Sequence, residues 1–144
     1  FETPNWDEKI IKEFSNKQDN FYLIHCNDGM RGPGNKYANV PPLAVNSFIH
    51  REYVETIGRY VEEEEPNTFH DTYLDKLFEI LNRKIYFHDI VIRHLHFSEY
   101  GNKDQTSIDM EKEREGVWDN NNLFQEKLMP VILKEADIIK SKIS

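Results

Sequence analysis

"KIYFHDIVIRHLHF", residues 84–97, is the stretch that decides the fold. Its β-branched and aromatic residues read as strand, either one run or two broken near Asp89. The stretch before it, "HDTYLDKLFEILNR" (70–83), places Tyr73, Leu74, Leu77, Phe78 and Leu81 on one helical face. A helix feeding a strand predicts an α/β chain with a partly parallel sheet. Outward from there, "NFYLIHC" (20–26) is a second buried-strand run and "LAVNSFI" (43–49) a short third strand. "HREYVETIG" (50–58) reads as a helix closed by Gly58. Asn5 is an N-cap candidate for a short first helix, with Asp7 and Glu8 in its first turn and Ile10, Ile11 and Phe14 on its apolar face. Asn67-Thr68, after the acidic connector Glu62–Glu65, is a cap candidate for the 70–83 helix. Helical stretches over 108–117 and 121–142 follow, with Pro130 kinking or dividing the second. The chain reads as a single domain, 1–144, with a helical C-terminal extension over 108–144.

Composition narrows the function classes. At 144 residues, 38 % hydrophobic, with nine Phe, seven Tyr and two Trp, the chain can bury a core and is too apolar for a disordered segment. A formal charge of −8 excludes nucleic-acid binding by bulk electrostatics, which needs clustered Lys and Arg. The single Cys26 excludes an internal disulfide and a cysteine-rich zinc site, and a reduced, cytoplasmic setting is expected. No apolar run reaches the roughly 18 residues of a transmembrane helix, and the opening "FETPNWDEK" shows neither methionine nor signal-peptide pattern. With only three or four strands the sheet is thin for its class. Together these features predict that part of a larger domain is absent.

Four features carry chemistry. His94 and His96, two apart on a strand, share a face, so two imidazoles can approach one divalent ion; as readily they are ordinary polar strand residues. Asp71 stands at a helix start, where an acid either complements the macrodipole or serves as a general base. Asp75, one turn on, is expected to be solvated or salt-bridged. The loop "NDGMRGPGNKYANVPP" (27–42) fits neither glycine-rich phosphate motif. Its glycines allow positive-φ turns, and Asp28, Gly29, Arg31 and Lys36 can line a pocket for a charged ligand. Trp6 and Trp118 read as packing residues, and no Ser-His-Asp pattern is present.

In order, these pieces resemble the acceptor-side half of a GT-A-type, family 2-like glycosyltransferase. The features are the glycine-containing loop, "IGRYV" (57–61), the "HDTYL" helix start (70–74), the strand run "IYFHDIVIRHLH" (85–96) closing on histidine, and "NKDQTS" (102–107). The likeness covers roughly residues 5–110. It implies an incomplete GT-A-like (nucleotide-diphospho-sugar transferase) three-layer α/β domain with a small mixed sheet and C-terminal helices. It implies Asp71 as the base, His94 as a metal ligand with His96 second, Asp28, Gly29 and Arg31 at the donor side, and Mn²⁺ or Mg²⁺ as cofactor. Its partners are then a nucleotide-sugar donor and a carbohydrate or other hydroxyl acceptor, and the exposed edge left by the missing half invites homo-oligomerisation. His70 departs from the usual Glu or Ala before the aspartate, and the D-x-D half is absent, so these residues alone are expected to be inactive. The alternatives are a non-catalytic carbohydrate- or protein-binding domain on the same scaffold, and a small metallohydrolase using His94 and His96 with Asp71 or Asp104.

Overall fold

A computed structural model describes residues 3–32, 34, 37–61, 69–93, 105, 108–109, 112 and 124–143. Its elements are α1 (Trp6–Ser15), β1 (Leu23–Asn27), β2 (Ser47–Ile49), α2 (Arg51–Ile57), α3 (His70–Ile80), β3 (Lys84–Val91), a π-helical turn (Phe124–Leu128) and α4 (Met129–Ile143). Among the described residues this is a mixed α/β architecture: four α-helices and a three-stranded sheet of order β2-β1-β3. β1 runs antiparallel to β2 and parallel to β3.

The alternation of β1 divides the interior into two cores. Leu23 faces the larger one, built from Tyr53 of α2, Tyr73, Leu74, Leu77 and Phe78 of α3, and Ile132, Ala136 and Ile139 of α4. Ile24 and Cys26 face the smaller one, with Ile90 and, from α1, Ile10, Trp6 and Phe14. The sheet therefore lies between α1 on one face and α2, α3 and α4 on the other. Trp6 packs on Phe48, ring centroids 5.5 Å apart, as a packing residue should. α4 is part of the larger core, with Ile132, Ala136 and Ile139 fully buried.

Element ends follow local chemistry. His50 caps α2, its Nδ1 accepting from the Glu52 backbone N–H at 3.2 Å, and Gly58 (φ +87°) closes it with its N–H on the Val54 carbonyl at 2.7 Å. α3 stops at Ile80, short of the 83 expected, because Asn82 turns left-handed (φ +54°). The Arg83 N–H then bonds back to the Phe78 carbonyl at 2.9 Å, a Schellman-type ending. Asn5 precedes α1 but does not cap it. Its own backbone is left-handed (φ 55°, ψ 31°), whereas side-chain capping needs an extended N-cap residue. Pro130 does not divide the last helix. It stands just past the π-helical turn, so the helical path is irregular in the turn before the proline, where its missing N–H and ring act.

β3 is one strand rather than two, with a bulge where the break was expected. Pairing runs from Leu23↔Lys84 to Cys26↔Phe87 and then jumps to Asn27↔Val91. The Asn27 side chain fills the gap, its Nδ2 donating to the His88 carbonyl at 3.2 Å. On the outer edge Thr3 Oγ1 accepts from the Val91 N–H at 2.8 Å and donates to the Asp89 carbonyl at 3.3 Å. Asp75 is salt-bridged to Lys84 at 3.0 Å. The connector Glu62–Glu65, Asn67, Thr68, Lys36, His94, His96, Asp104 and Trp118 lie outside the described residues.

Leu77 is wholly buried between the helices and the sheet, whereas Ile11 of α1 is 64 % exposed. Leu77→Ala is expected to lower the unfolding free energy by ~2–5 kcal/mol in urea denaturation, and Ile11→Ala by less than about 0.5 kcal/mol.

Candidate functional site

Three strand and loop ends meet at the carboxyl end of β1. Asp28, the first residue past the strand, is 3 % exposed. Its Oδ1 accepts from the Met30 and Arg31 backbone N–H groups at 2.8 and 2.9 Å, and its Oδ2 from Arg31 Nη1 at 2.9 Å. Asp28 is thus the internal organiser of the loop, both oxygens engaged. Gly29 (φ +75°) donates its N–H to Asn27 Oδ1 at 2.9 Å. Arg93 covers it, with Cγ 3.4 Å from where a Cβ would stand, so any side chain there meets both strain and crowding. Asn46 ties the approach to β2 to the same end, its Nδ2 donating to the Ile92 carbonyl at 2.7 Å. The structure therefore brings Asp28, Gly29 and Arg31 together with Arg93, the residue that precedes His94 in the chain. Open α/β sheets bind ligands beyond the carboxyl ends of their parallel strands, the end at which these residues stand.

Asp71 belongs to a second neighbourhood. It lies half-buried in the first turn of α3, and it helps burial to raise the Tyr60 phenol above its usual range. Tyr60 is 44 % exposed and borders an open groove of about 660 Å³ between α1 and β2. Ile10, Phe14 and Phe48 supply the apolar lining of that groove, and Asn20 and His50 the polar. Next to Tyr60 in the chain, the half-buried Arg59 pairs with the buried Glu135, Nη2 to Oε1 at 2.7 Å. The Tyr53 hydroxyl stands 3.4 Å from Glu135 Oε2 and 3.3 Å from the Tyr60 carbonyl. The Tyr73 hydroxyl faces the same pair without a short hydrogen bond to either. Burial, reinforced by the Glu135 charge, pushes the Tyr53 phenol far up.

His25 is the third buried polar group. It stacks against Tyr86 at 4.9 Å, and its Nδ1 has no hydrogen-bond partner. Burial first, then the Lys84 cation, lowers its pKa to about 4, against smaller opposing effects of Asp75, the Leu43 carbonyl and Asp28. Cys26, on the opposite face of the strand, is pushed up to about 11 by burial and by Asp89, and so stays a thiol.

His25, Tyr60 and Glu135 are missing from the sequence-derived site residues. Glu135 had a signal: in "ILKEADII" it falls in register with Ile132 and Ile139, on the buried face of the helix. His25 had one too, as the lone polar residue inside "FYLIHC". Tyr60 had none. Among the described residues no group of three or more His, Cys, Asp or Glu is arranged to hold a metal ion, and His94 and His96 fall outside them. No described helix is long and apolar enough to cross a membrane. Comparison with protein-family models, curated proteins and solved structures returns no match.

A histidine neutral in the fold but free to protonate when unfolded contributes stability above pH ~6.5 that is lost as the pH falls toward about 4. The urea-unfolding free energy should therefore fall by about 2–3 kcal/mol more in the parent than in His25→Gln between about pH 7 and pH 4.5. Asp28→Ala should cost ~1–3 kcal/mol by orphaning two N–H groups, and Asp28→Asn, which keeps an acceptor at Oδ1, less.

Proposed function

We propose that this chain is the acceptor-side half of a metal-dependent glycosyltransferase, with Asp71 as its base. The supporting observation is the setting of Asp71: a half-buried carboxylate on a helix start, whose charge reaches Tyr60 at the rim of an open groove. There the carboxylate can take the proton of an acceptor hydroxyl as its oxygen attacks the anomeric carbon of a nucleotide-sugar and the nucleoside diphosphate departs. The first-turn position sets that carboxylate at the positive end of the helix dipole. His94 would hold a divalent ion, Mn²⁺ or Mg²⁺, and the ion would supply positive charge to offset that of the departing diphosphate. The loop Asp28–Arg31, stiffened by its own hydrogen bonds, with Arg93 against Gly29, forms the donor-side wall.

A second reading, a non-catalytic carbohydrate- or protein-binding domain, is favoured by the groove itself, which combines Phe14 and Phe48 with the polar Asn20 and His50. Transfer from a panel of nucleotide-sugars with Mn²⁺, assayed on the intact protein that carries this chain, separates the two. Asp71→Asn is expected to lower turnover ~10²–10⁴-fold, and His94→Ala to weaken Mn²⁺ binding. Unchanged turnover in the first variant removes the base role, and unchanged metal affinity in the second removes the ligand role. Glycan or peptide binding with no transfer supports the binding-domain reading.

A further inference from the structure

Glu52, in the first turn of α2, holds two side chains that line the groove between α1 and β2. Its backbone N–H donates to His50 Nδ1 at 3.2 Å, and its carboxylate Oε2 accepts from Asn20 Nδ2 at 2.7 Å. Each contact fixes a polarity. A backbone N–H only donates, so His50 Nδ1 carries the lone pair and the ring proton sits on Nε2. A carboxylate only accepts, so the Asn20 amide turns its NH₂ to Glu52 and keeps Oδ1 for another donor. The two lining residues thus offer one N–H donor and one C=O acceptor, both set by a residue outside the lining.

The rest of the groove is apolar and nearly uncharged. The Phe14 ring stands 6.4 Å from that of His50, and Phe48 is held by Trp6 at 5.5 Å. Of the eleven described residues in the lining, Arg51 alone is a Lys, Arg, Asp or Glu, and it pairs with Glu55 at 2.8 Å. At the chain's 31 % of charged residues, about three of the eleven would be charged. Such a lining does not offset the desolvation of an ionic ligand. The ligand that fits is uncharged, has an apolar face for the aromatic rings, and carries hydroxyls, which accept from Nε2–H and donate to Oδ1. That is the chemistry of a saccharide ring. A peptide fits less well, because β2 is only three residues long and gives an added strand few main-chain bonds.

His50 follows β2, whose Ile49 pairs with Leu23, the first residue of β1, and Asn20 precedes β1. The donor–acceptor pair therefore stands at the amino end of β1, roughly 15 Å along the strand from Asp28 at its carboxyl end. We propose that the groove between α1 and β2 binds an uncharged saccharide, with His50 Nε2–H and Asn20 Oδ1 as its hydrogen-bond partners and Glu52 as the residue that orients them. This gives a ligand class to the groove on which the binding-domain reading rests, and it requires neither Asp71 nor sugar transfer.

NMR on this 144-residue chain, labelled with ¹⁵N, follows the His50 ring and the Asn20 side-chain amide during titration with cellobiose, maltose, lactose and diacetylchitobiose. Both resonances should shift together and saturably with at least one of these sugars. His50→Ser keeps a capping oxygen for the Glu52 N–H and removes the Nε2–H. Its urea-unfolding midpoint should stay near the parent's, while Kd rises about tenfold, the worth of one hydrogen bond. Glu52→Ala, which leaves the lining intact but releases Asn20, should raise Kd by a smaller factor, and Lys76→Ala on α3 should match the parent. Unchanged Kd in both His50→Ser and Glu52→Ala overturns the proposal, as does the absence of any saturable shift below ~10 mM sugar. An acetylated and amidated neutral peptide that moves the two resonances when the sugars do not also overturns it, and leaves the binding-domain reading in place. Sugar binding at the two residues with no transfer by the intact protein upholds it while the transferase reading falls. If His50→Ser does not fold, Asn20→Leu, which removes Oδ1, makes the same comparison.

Discussion

The register of β1 is the constraint on which the rest of this structure depends. Of its five residues, Leu23–Asn27, all pair with β3 and the first three with β2 as well, and the strand is covered on both faces. Leu23 and His25 look toward α3, and Ile24 and Cys26 toward α1. A slip of one residue would send the His25 imidazole into a core made of Ile10, Ile90 and Trp6, and would expose the other face to the Lys84–Asp75 pair. Polar and apolar neighbours therefore specify one alignment. Because pairing ends at Asn27, Asp28 is the first residue free to turn, and the loop begins there.

What the sequence makes legible is what depends on period and on glycine. The apolar spacing of "HDTYLDKLFEILNR" locates α3 to within a few residues, and Gly58 ends α2 where its conformational freedom says it should. Two asparagines are misread because their backbones are left-handed, which composition alone does not announce: Asn5 fails as a cap and Asn82 ends a helix early. The bulge near Asp89 depends on an amide from β1, 61 residues away in sequence, and so could be read only as a weakness in the strand pattern. Pro130 draws attention to the right region: the helix is not divided, but the turn before the proline is the disturbed one.

The candidate site was legible in part. Asp28, Gly29 and Arg31 form one connected loop, but the carboxylate among them is spent on that loop's own N–H groups. Asp71 acts instead on Tyr60, which follows α2, a neighbour that no local window of sequence around the start of α3 contains. Glu135 shows why: its environment is made by three separated segments, and only its place on an apolar helical face hints at burial.

Thr3 gives the sheet a direction. One hydroxyl meets both the Asp89 carbonyl and the Val91 N–H, doing for the outer margin of β3 what a neighbouring strand would do. Lys9 and Asp89 add a pair of charges, 3.3 Å apart, at the same border. On the other margin, β2 borders the groove that also holds Ile10 and Phe14, and no described strand lies beyond it. The two borders of the sheet thus differ in kind: one is met at Asp89 and Val91 by a single threonine hydroxyl, the other by an apolar groove.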